Sequence, residues 1–230
     1  MRAPVLVVLM TTSAAADPDP VPPFVPERLA LRGALEAGDT TSSLALDGWY
    51  DVNDRFRFGI TTSHDARRQL GAGRGLCIAG CATRFSGLAA EAQVRLGPSL
   101  VGYAALDTVR FAPTEVALEL GADLHWAQGR WSAVVSPSVR LGVARRDLDD
   151  NRDTGAVFGQ LGPQLWSTGG VLALARLAGS LDHIATTPTI GAGGGAWLQL
   201  GPFTVSARAG SAHLVHRDSL FAEIAIGWSS

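Results

Sequence analysis

The chain has 230 residues, of which 47% are hydrophobic, and a formal net charge of −2. All 19 basic residues are arginine, and the near-neutral balance excludes the strongly basic surface that binds nucleic acid. No apolar run approaches the ~18 residues that a membrane-spanning helix needs, which excludes a helical membrane protein. The length suits one all-β domain.

The N-terminus has the pattern of a short secretory signal over residues 1–16. Arg2 supplies the positive charge, residues 4–10 the apolar stretch and residues 14–16 a small-residue cleavage site. An ordinary apolar N-terminus is the alternative interpretation. Residues 17–26 contain five prolines and predict an extended lead-in, after which residues 27–230 form the predicted barrel domain.

Hydrophobic residues then alternate with polar or small ones almost to the C-terminus. In one segment, Leu118, Leu120 and Leu124 alternate with positions that include Glu119 and Asp123, so the acids lie on the opposite face of the strand. Segments of about ten residues are long enough to cross a bilayer as tilted strands. The pattern predicts twelve strands, with ten as the alternative count, at 27–36, 42–50, 55–63, 85–96, 100–110, 114–127, 130–144, 155–166, 171–181, 190–200, 203–212 and 220–228.

The connections between these strands alternate in length. The second, fourth, sixth, eighth and tenth are short, whereas most of the others are longer. Short turns at one end and long loops at the other are typical of an antiparallel, up-and-down transmembrane β-barrel in the bacterial outer membrane, with the short turns in the periplasm. Trp126, Trp131, Phe203 and Trp228 flank short turns and predict an aromatic girdle there.

The segment 220–228 alternates apolar residues and ends on Trp228, which resembles the C-terminal assembly signal of bacterial outer-membrane β-barrels. The whole mature chain resembles that superfamily, and its porin-like members in strand number. The chain departs from the signal by adding Ser229 and Ser230. The resemblance implies recognition by the barrel-assembly machinery and contact with outer-membrane lipid and lipopolysaccharide, but it transfers no catalytic residue.

The polar face of the strands predicts a charged interior with a nearly balanced set of arginines and acids. The predicted lumen-lining residues are Arg28, Arg32, Arg55, Arg57, Glu91, Arg95, Glu115, Glu119, Asp123, Arg140, Arg176, Arg208 and Glu223, with Glu36, Asp47 and Asp107 also inward. We expect Arg140 to lie between Glu115 and Glu119. A three-residue turn would let Asp47 face Arg57.

Two functions fit this interior. A narrow passive pore for small polar or charged solutes is the leading interpretation, and a structural barrel filled by Arg–carboxylate pairs is the alternative. His213, His216, Asp218 and Ser219 cluster in one loop, with Asp182 and His183 in the preceding one. They leave outer-leaflet lipid hydrolysis as a lower-ranked third class, because no hydrolase motif is recognisable.

The longest loop carries both cysteines, Cys77 and Cys81, which predict a disulfide in an exported protein. Its arginines, Arg67, Arg68, Arg74 and Arg84, could contact lipopolysaccharide phosphates or simply be solvated. The loop 147–153 is rich in acids, but Arg152 and Phe158 break the calcium-loop pattern, so a solvated hairpin tip is the default and weak divalent binding the alternative. We predict no cofactor, no metal site and no nucleic-acid partner.

Overall fold

Period-two alternation produces strands throughout the computed structural model, which describes residues 24–62, 70, 75–81, 83–111, 114–144, 153–181, 188–215 and 219–230. The strands are β1 (Leu29–Gly38), β2 (Ser42–Asp51), β3 (Phe56–Thr61), β4 (Gly75–Ala79), β5 (Phe85–Ser86), β6 (Leu88–Gly97), β7 (Leu100–Phe111), β8 (Thr114–Gln128), β9 (Trp131–Ala144), β10 (Thr154–Trp166), β11 (Gly169–Ser180), β12 (Thr189–Leu200), β13 (Phe203–Ser211) and β14 (Leu220–Ser229). The described part of the chain contains no helix long and apolar enough to cross a membrane.

The strands close into an antiparallel barrel. Neighbours in the chain pair with each other, β3 pairs with β6, and β1 pairs with both β2 and β14, so the sheet has no free edge around the barrel. Leaving out β4 and β5, twelve strands make the wall. This confirms the predicted all-β, twelve-stranded fold, and the alternative of ten strands is wrong.

Two short strands extend the sheet beyond the end of β3 and are not counted among the twelve wall strands. β4 pairs with the N-terminal end of β2, where Leu44 is opposite Leu76, and β5 pairs with β4. The sequence predicted one strand over 85–96, but Gly87 has a φ of 70° and separates β5 from β6. β4 was not predicted, because this five-residue strand lies within a connection interpreted as loop.

The turn between β2 and β3 corrects one predicted site residue. The side-chain oxygen Oδ1 of Asn53 accepts hydrogen bonds from the backbone N–H groups of Arg55 (2.8 Å) and Phe56 (2.9 Å). Such an Asx turn holds residues 52–55 out of the ladder, so β3 begins at Phe56. Arg55 is therefore exposed in the turn and does not line the interior, contrary to the prediction.

Side chains alternate between the two surfaces of the wall as the sequence predicted. In β8, Leu120 and Leu124 are about half exposed on the outside, whereas Glu119 and Asp123 are buried inside. The outer surface is thus apolar and the inner surface carries the charges. Exposed aromatic residues also collect beside the short turns, namely Tyr50, Trp126, Trp131, Trp166 and Phe203.

Inward-facing aromatic side chains lie over glycines in the wall. Tyr103 covers Gly121, which is directly opposite it on β8, and Trp49 covers Gly59, which is opposite it on β3. A Cβ on Gly121 would lie 2.7 Å from the carbonyl oxygen of Pro137 and closer still to the Tyr103 ring. Glycine is required here because the space of a side chain is already filled by the ring of its neighbour.

We expect Gly121→Ala to destabilise the folded barrel by about 1–3 kcal/mol, because the new methyl group overpacks against backbone and ring. Gly179→Ala is the control, since a Cβ at Gly179 would meet nothing within 4 Å. Urea unfolding of both variants in detergent micelles measures the difference. Equal stability of the two variants would contradict the packing of Tyr103 on Gly121.

Candidate functional site: the interior of the barrel

Arg32 is the centre of a buried charge network in the described interior. Its Nη1 lies 2.9 Å from Asp47 Oδ2 and its Nη2 lies 2.6 Å from Glu223 Oε1. Asp47 is directly opposite Arg32 on β2, and all three side chains are almost completely buried. A guanidinium between two carboxylates satisfies two acids at once, because its N–H groups point in divergent directions.

The network continues on both sides. Arg208, opposite Glu223 on β13, donates to it through Nε (3.0 Å) and Nη2 (2.7 Å), and the backbone N–H of Thr62 donates to Asp47 Oδ1 at 3.0 Å. Charges therefore alternate across β13, β14, β1 and β2. Bidentate, charge-assisted hydrogen bonds of this kind are stronger than hydrogen bonds between neutral groups.

A second group of charges lies near the turn between β2 and β3. Arg57 is bound to Asp51 through Nε and, at 3.1 Å, through Nη2, and Arg28 Nη2 lies 3.4 Å from the same carboxylate. Burial lowers the pKa of the Arg28 guanidinium, and the Asp51 carboxylate opposes that shift. The expected pairing of Asp47 with Arg57 is wrong, because the turn has four residues and the register places Asp51 opposite Arg57.

The opposite wall holds further pairs. Arg140 Nη2 lies 3.3 Å from Asp107 Oδ2, and Arg140 is directly opposite Glu119 in the register of β8 and β9. The hydroxyl of Tyr103 donates to Glu119 at 3.0 Å. A register shift after Val116 interrupts the regular pairing of β8 with β9 before Glu115, so the ladder places Glu119, and not Glu115, directly opposite Arg140. The sequence did not identify Asp107 as a partner of Arg140, because the two lie on strands that are not neighbours.

The predicted site residues thus fall into two groups. Arg55 is exposed in its turn, whereas the others are buried or partly buried on the inner face or at its ends: Arg28, Arg32, Arg57, Glu91, Arg95, Glu115, Glu119, Asp123, Arg140, Arg176, Arg208 and Glu223. Glu36, Asp47 and Asp107 are also buried. Polar groups that the sequence did not single out join them, including Gln93, Ser136 and Gln160.

Part of the interior is apolar, which the sequence analysis did not predict. Phe158, Leu172, Leu174, Trp197 and Phe221, on β10, β11, β12 and β14, form one buried cluster with Leu70. Leu70 belongs to the connection between β3 and β4, is 1% exposed and has a φ of 54°, so a residue of the longest loop reaches the inside of the barrel.

A small gap lies where the charged and apolar walls meet. It leaves about 10 Å³ for the centre of a water molecule, which is room for about one water. The gap is lined by Glu119, Ser138, Arg140, Thr154, Ala156, Phe158 and Arg176.

The predicted disulfide between Cys77 and Cys81 is present, with the two Cα atoms 5.9 Å apart. It links β4 to the turn that follows. Of the loop arginines, Arg84 is exposed and Arg67, Arg68 and Arg74 lie outside the described residues, as does most of the acidic loop 147–153. Within the part of the chain that is described, no group of three histidine, cysteine or acidic side chains could hold a metal ion.

The hydrolase cluster suggested by the sequence is described only in part, since Asp182, His183, His216 and Asp218 lie outside the described residues. Ser219 Oγ donates to the backbone carbonyl of His213 at 2.8 Å and lies 2.7 Å from Ser211 Oγ. These bonds tie the ends of the loop together and engage the main chain of His213.

We expect Arg32→Met to destabilise the barrel by about 3–5 kcal/mol, because Asp47 and Glu223 would lose the cation between them. Arg84→Met, in an exposed loop, is the control and should change stability little. Urea unfolding followed by tryptophan fluorescence measures both. A loss at Arg32 no larger than that at Arg84 would show that the network does not support the fold.

The architecture matches solved outer-membrane porins, although the sequences are very different. A structure of the KdgM porin in complex with disordered oligogalacturonate has a TM-score of 0.59 and 7% identity, covering 87% of this chain and 98% of that chain. The NanC porin has a TM-score of 0.53 and 11% identity, covering 88% and 98%. No protein-family model matches the chain, and the curated proteins give no significant match. The chain therefore has the fold of a twelve-stranded porin.

Proposed function

We propose that the chain is an outer-membrane barrel that acts as a narrow passive pore for small polar or charged solutes. The observation that carries the proposal is the inverted distribution of side chains. Charged groups such as Arg32 and Glu119 lie inside the closed wall, and leucines such as Leu120 lie outside. A water-soluble barrel would bury its apolar face and expose its charges. A membrane barrel does the reverse.

The ends of the strands support a membrane position and an orientation. Tyr50, Trp126, Trp131, Trp166 and Phe203 project outwards next to short turns, which is the position of an interfacial aromatic girdle. Short turns are typical of the periplasmic side and long connections of the outside. This orientation places both the Cys77–Cys81 disulfide and the exposed Arg84 outside the cell, where Arg84 could contact lipopolysaccharide phosphates.

Assembly is a further part of the proposal. β14 ends the barrel by pairing with β1 from Ala30↔Ser229 to Gly38↔Phe221, so the two ends of the chain form the closing seam. The alternating outward residues of β14, Leu220, Ile224 and Ile226, are the ones that the barrel-assembly machinery would meet before closure. Formation of the seam would then complete the barrel.

The charge of the interior favours cations weakly. Among the fully buried side chains of the described interior the acids outnumber the arginines, and Arg32, Arg140 and Arg208 are each held by a carboxylate. A row of unpaired arginines, which would attract a polyanion, is not formed by Arg32, Arg140 or Arg208. The oligogalacturonate that accompanies the KdgM porin in its complex is therefore not proposed as a solute for this chain.

A structural barrel with a filled lumen is the second candidate. The cluster of Leu70 with Phe158 and Trp197, and the gap that admits about one water near Arg140 and Arg176, favour it. The two functions differ in a single property, which is whether ions cross a bilayer that contains the purified protein.

Conductance in a planar bilayer, combined with Arg140→Ala, tests the pore. We expect wild-type channels with a weak cation preference, and in Arg140→Ala a shift of the reversal potential towards cations, because one fixed positive charge is removed. Arg84→Ala is the control, because Arg84 is exposed outside the barrel and its removal should leave the reversal potential unchanged.

An unchanged ion preference at normal conductance would show that Arg140 does not line the path. If the wild type and both variants pass no ions, the filled structural barrel replaces the pore.

Leu120→Arg tests the membrane position. Leu120 is 46% exposed near the middle of β8, and a charge there should reduce the free energy of unfolding in liposomes by about 2–4 kcal/mol. Gln128→Arg, on the same strand at the short turn, should cost about 0–1 kcal/mol because it lies at the interface. Similar losses at the two positions would rule out the proposed depth of β8 in the bilayer.

A further inference from the structure

The residues that precede β1 fold back against the short-turn end of the barrel. The backbone N–H of Val25 donates to Asp51 Oδ2 at 2.8 Å, and that of Glu27 donates to the carbonyl oxygen of Asp51 at 2.8 Å. Glu27 has a φ of 60°, which turns the chain sharply at this point. The segment 24–28 is thus fastened to the end of β2, at the level of the turn that joins β2 to β3.

This turn places Phe24 inside the wall. Its ring is 7% exposed, and the guanidinium carbon atoms of Arg57 and Arg95 lie 4.3 and 5.0 Å from its centroid. Arg57 faces inwards, since its neighbours on β3, Phe56 and Phe58, are exposed on the outside while Arg57 is 1% exposed. A ring stacked on the Arg57 guanidinium therefore lies within the lumen, next to the turn.

Two cations on one aromatic ring form a cation–π arrangement that holds the ring in place. The Arg57 guanidinium is itself fixed by Asp51, which also binds the backbone of Val25. The same carboxylate thus anchors both the segment and the cation on which its ring rests. By contrast, Val25 points away and is 43% exposed.

We propose that Phe24 forms the constriction at the periplasmic mouth of the lumen and covers the guanidinium groups of Arg57 and Arg95. The inference builds on the proposed pore and names the residues that set its width and ion preference at that end. With the ring in place, the two cations face an aromatic surface. Without it, the Arg95 guanidinium and the face of the Arg57 guanidinium that the ring covered, beside its pair with Asp51, meet the aqueous path and would attract anions more strongly than in the wild type.

The test compares wild type, Phe24→Ala and the control Val25→Ala in planar bilayers under a salt gradient. We expect Phe24→Ala to raise single-channel conductance and to shift the reversal potential towards anions, and Val25→Ala to match the wild type. Channels that open only in Phe24→Ala would also support the proposal, since the ring would then close the resting barrel. A conducting wild type that Phe24→Ala leaves unchanged overturns it.

A second measurement does not depend on conduction. In the wild type, the Arg57 Nε–H resonance in detergent micelles should be shifted upfield by the ring current of Phe24, and Phe24→Leu should remove that shift while keeping an apolar side chain. An Arg57 resonance that is the same in both proteins overturns the inference. If neither the wild type nor Phe24→Ala conducts, the pore and the constriction at Phe24 are both overturned, and a preserved ring-current shift then shows only the contact of the ring with Arg57.

Discussion

Neutralisation of charge inside a closed wall is the constraint on which this structure depends. A carboxylate or guanidinium that faces the interior has lost most of its water, and an unpaired charge there would cost several kcal/mol. The barrel meets this cost through register. Pairing β1 with β2 and β14 puts Arg32 beside Asp47 and Glu223, so the hydrogen bonds that close the barrel also bring the charges together. Slipping the register by one residue would move these charges to the apolar outer face.

The same logic explains where the aromatic residues of the inner face lie. Tyr103 lies over Gly121 and donates to Glu119, so one side chain fills the space beside a glycine and satisfies an acid. Trp49 covers Gly59 in the same manner. Missing side-chain volume in one strand is thus supplied by the strand that pairs with it, which keeps the wall curved without leaving a void.

Much of this fold was predictable because alternation is a local property. The period of two along the chain defined the twelve wall strands and the inward side of residues such as Glu119 and Arg140. What could not be predicted depends on contacts between distant segments. Asp51 was assigned to a turn, and it became a partner of Arg57 only because the Asn53 Asx turn set the register. Leu70 and Phe24 lie in segments without periodicity, so no pattern indicated that either enters the barrel.

The apolar inner cluster, by contrast, had a signal in the sequence. The segment of β11 is hydrophobic on both faces up to Arg176, and a strand of this kind is expected where the inner side of the wall packs against other side chains.

The interior is accordingly divided into two walls, and the division bears on function. Leu172, Leu174 and Trp197 pack with Leu70 along β11 and β12, whereas the charge networks run from β13 through β14 and β1 to β3 and across β7 to β9. Water and ions follow polar surfaces, so a continuous path for solutes would run along the charged wall. Phe24 lies at the short-turn end of that wall, against Arg57 on β3 and Arg95 on β6. An aromatic ring at this point covers the exit of the polar path and also covers two guanidinium groups. Any movement of the ring that widens the exit would therefore also expose these cations to a passing solute.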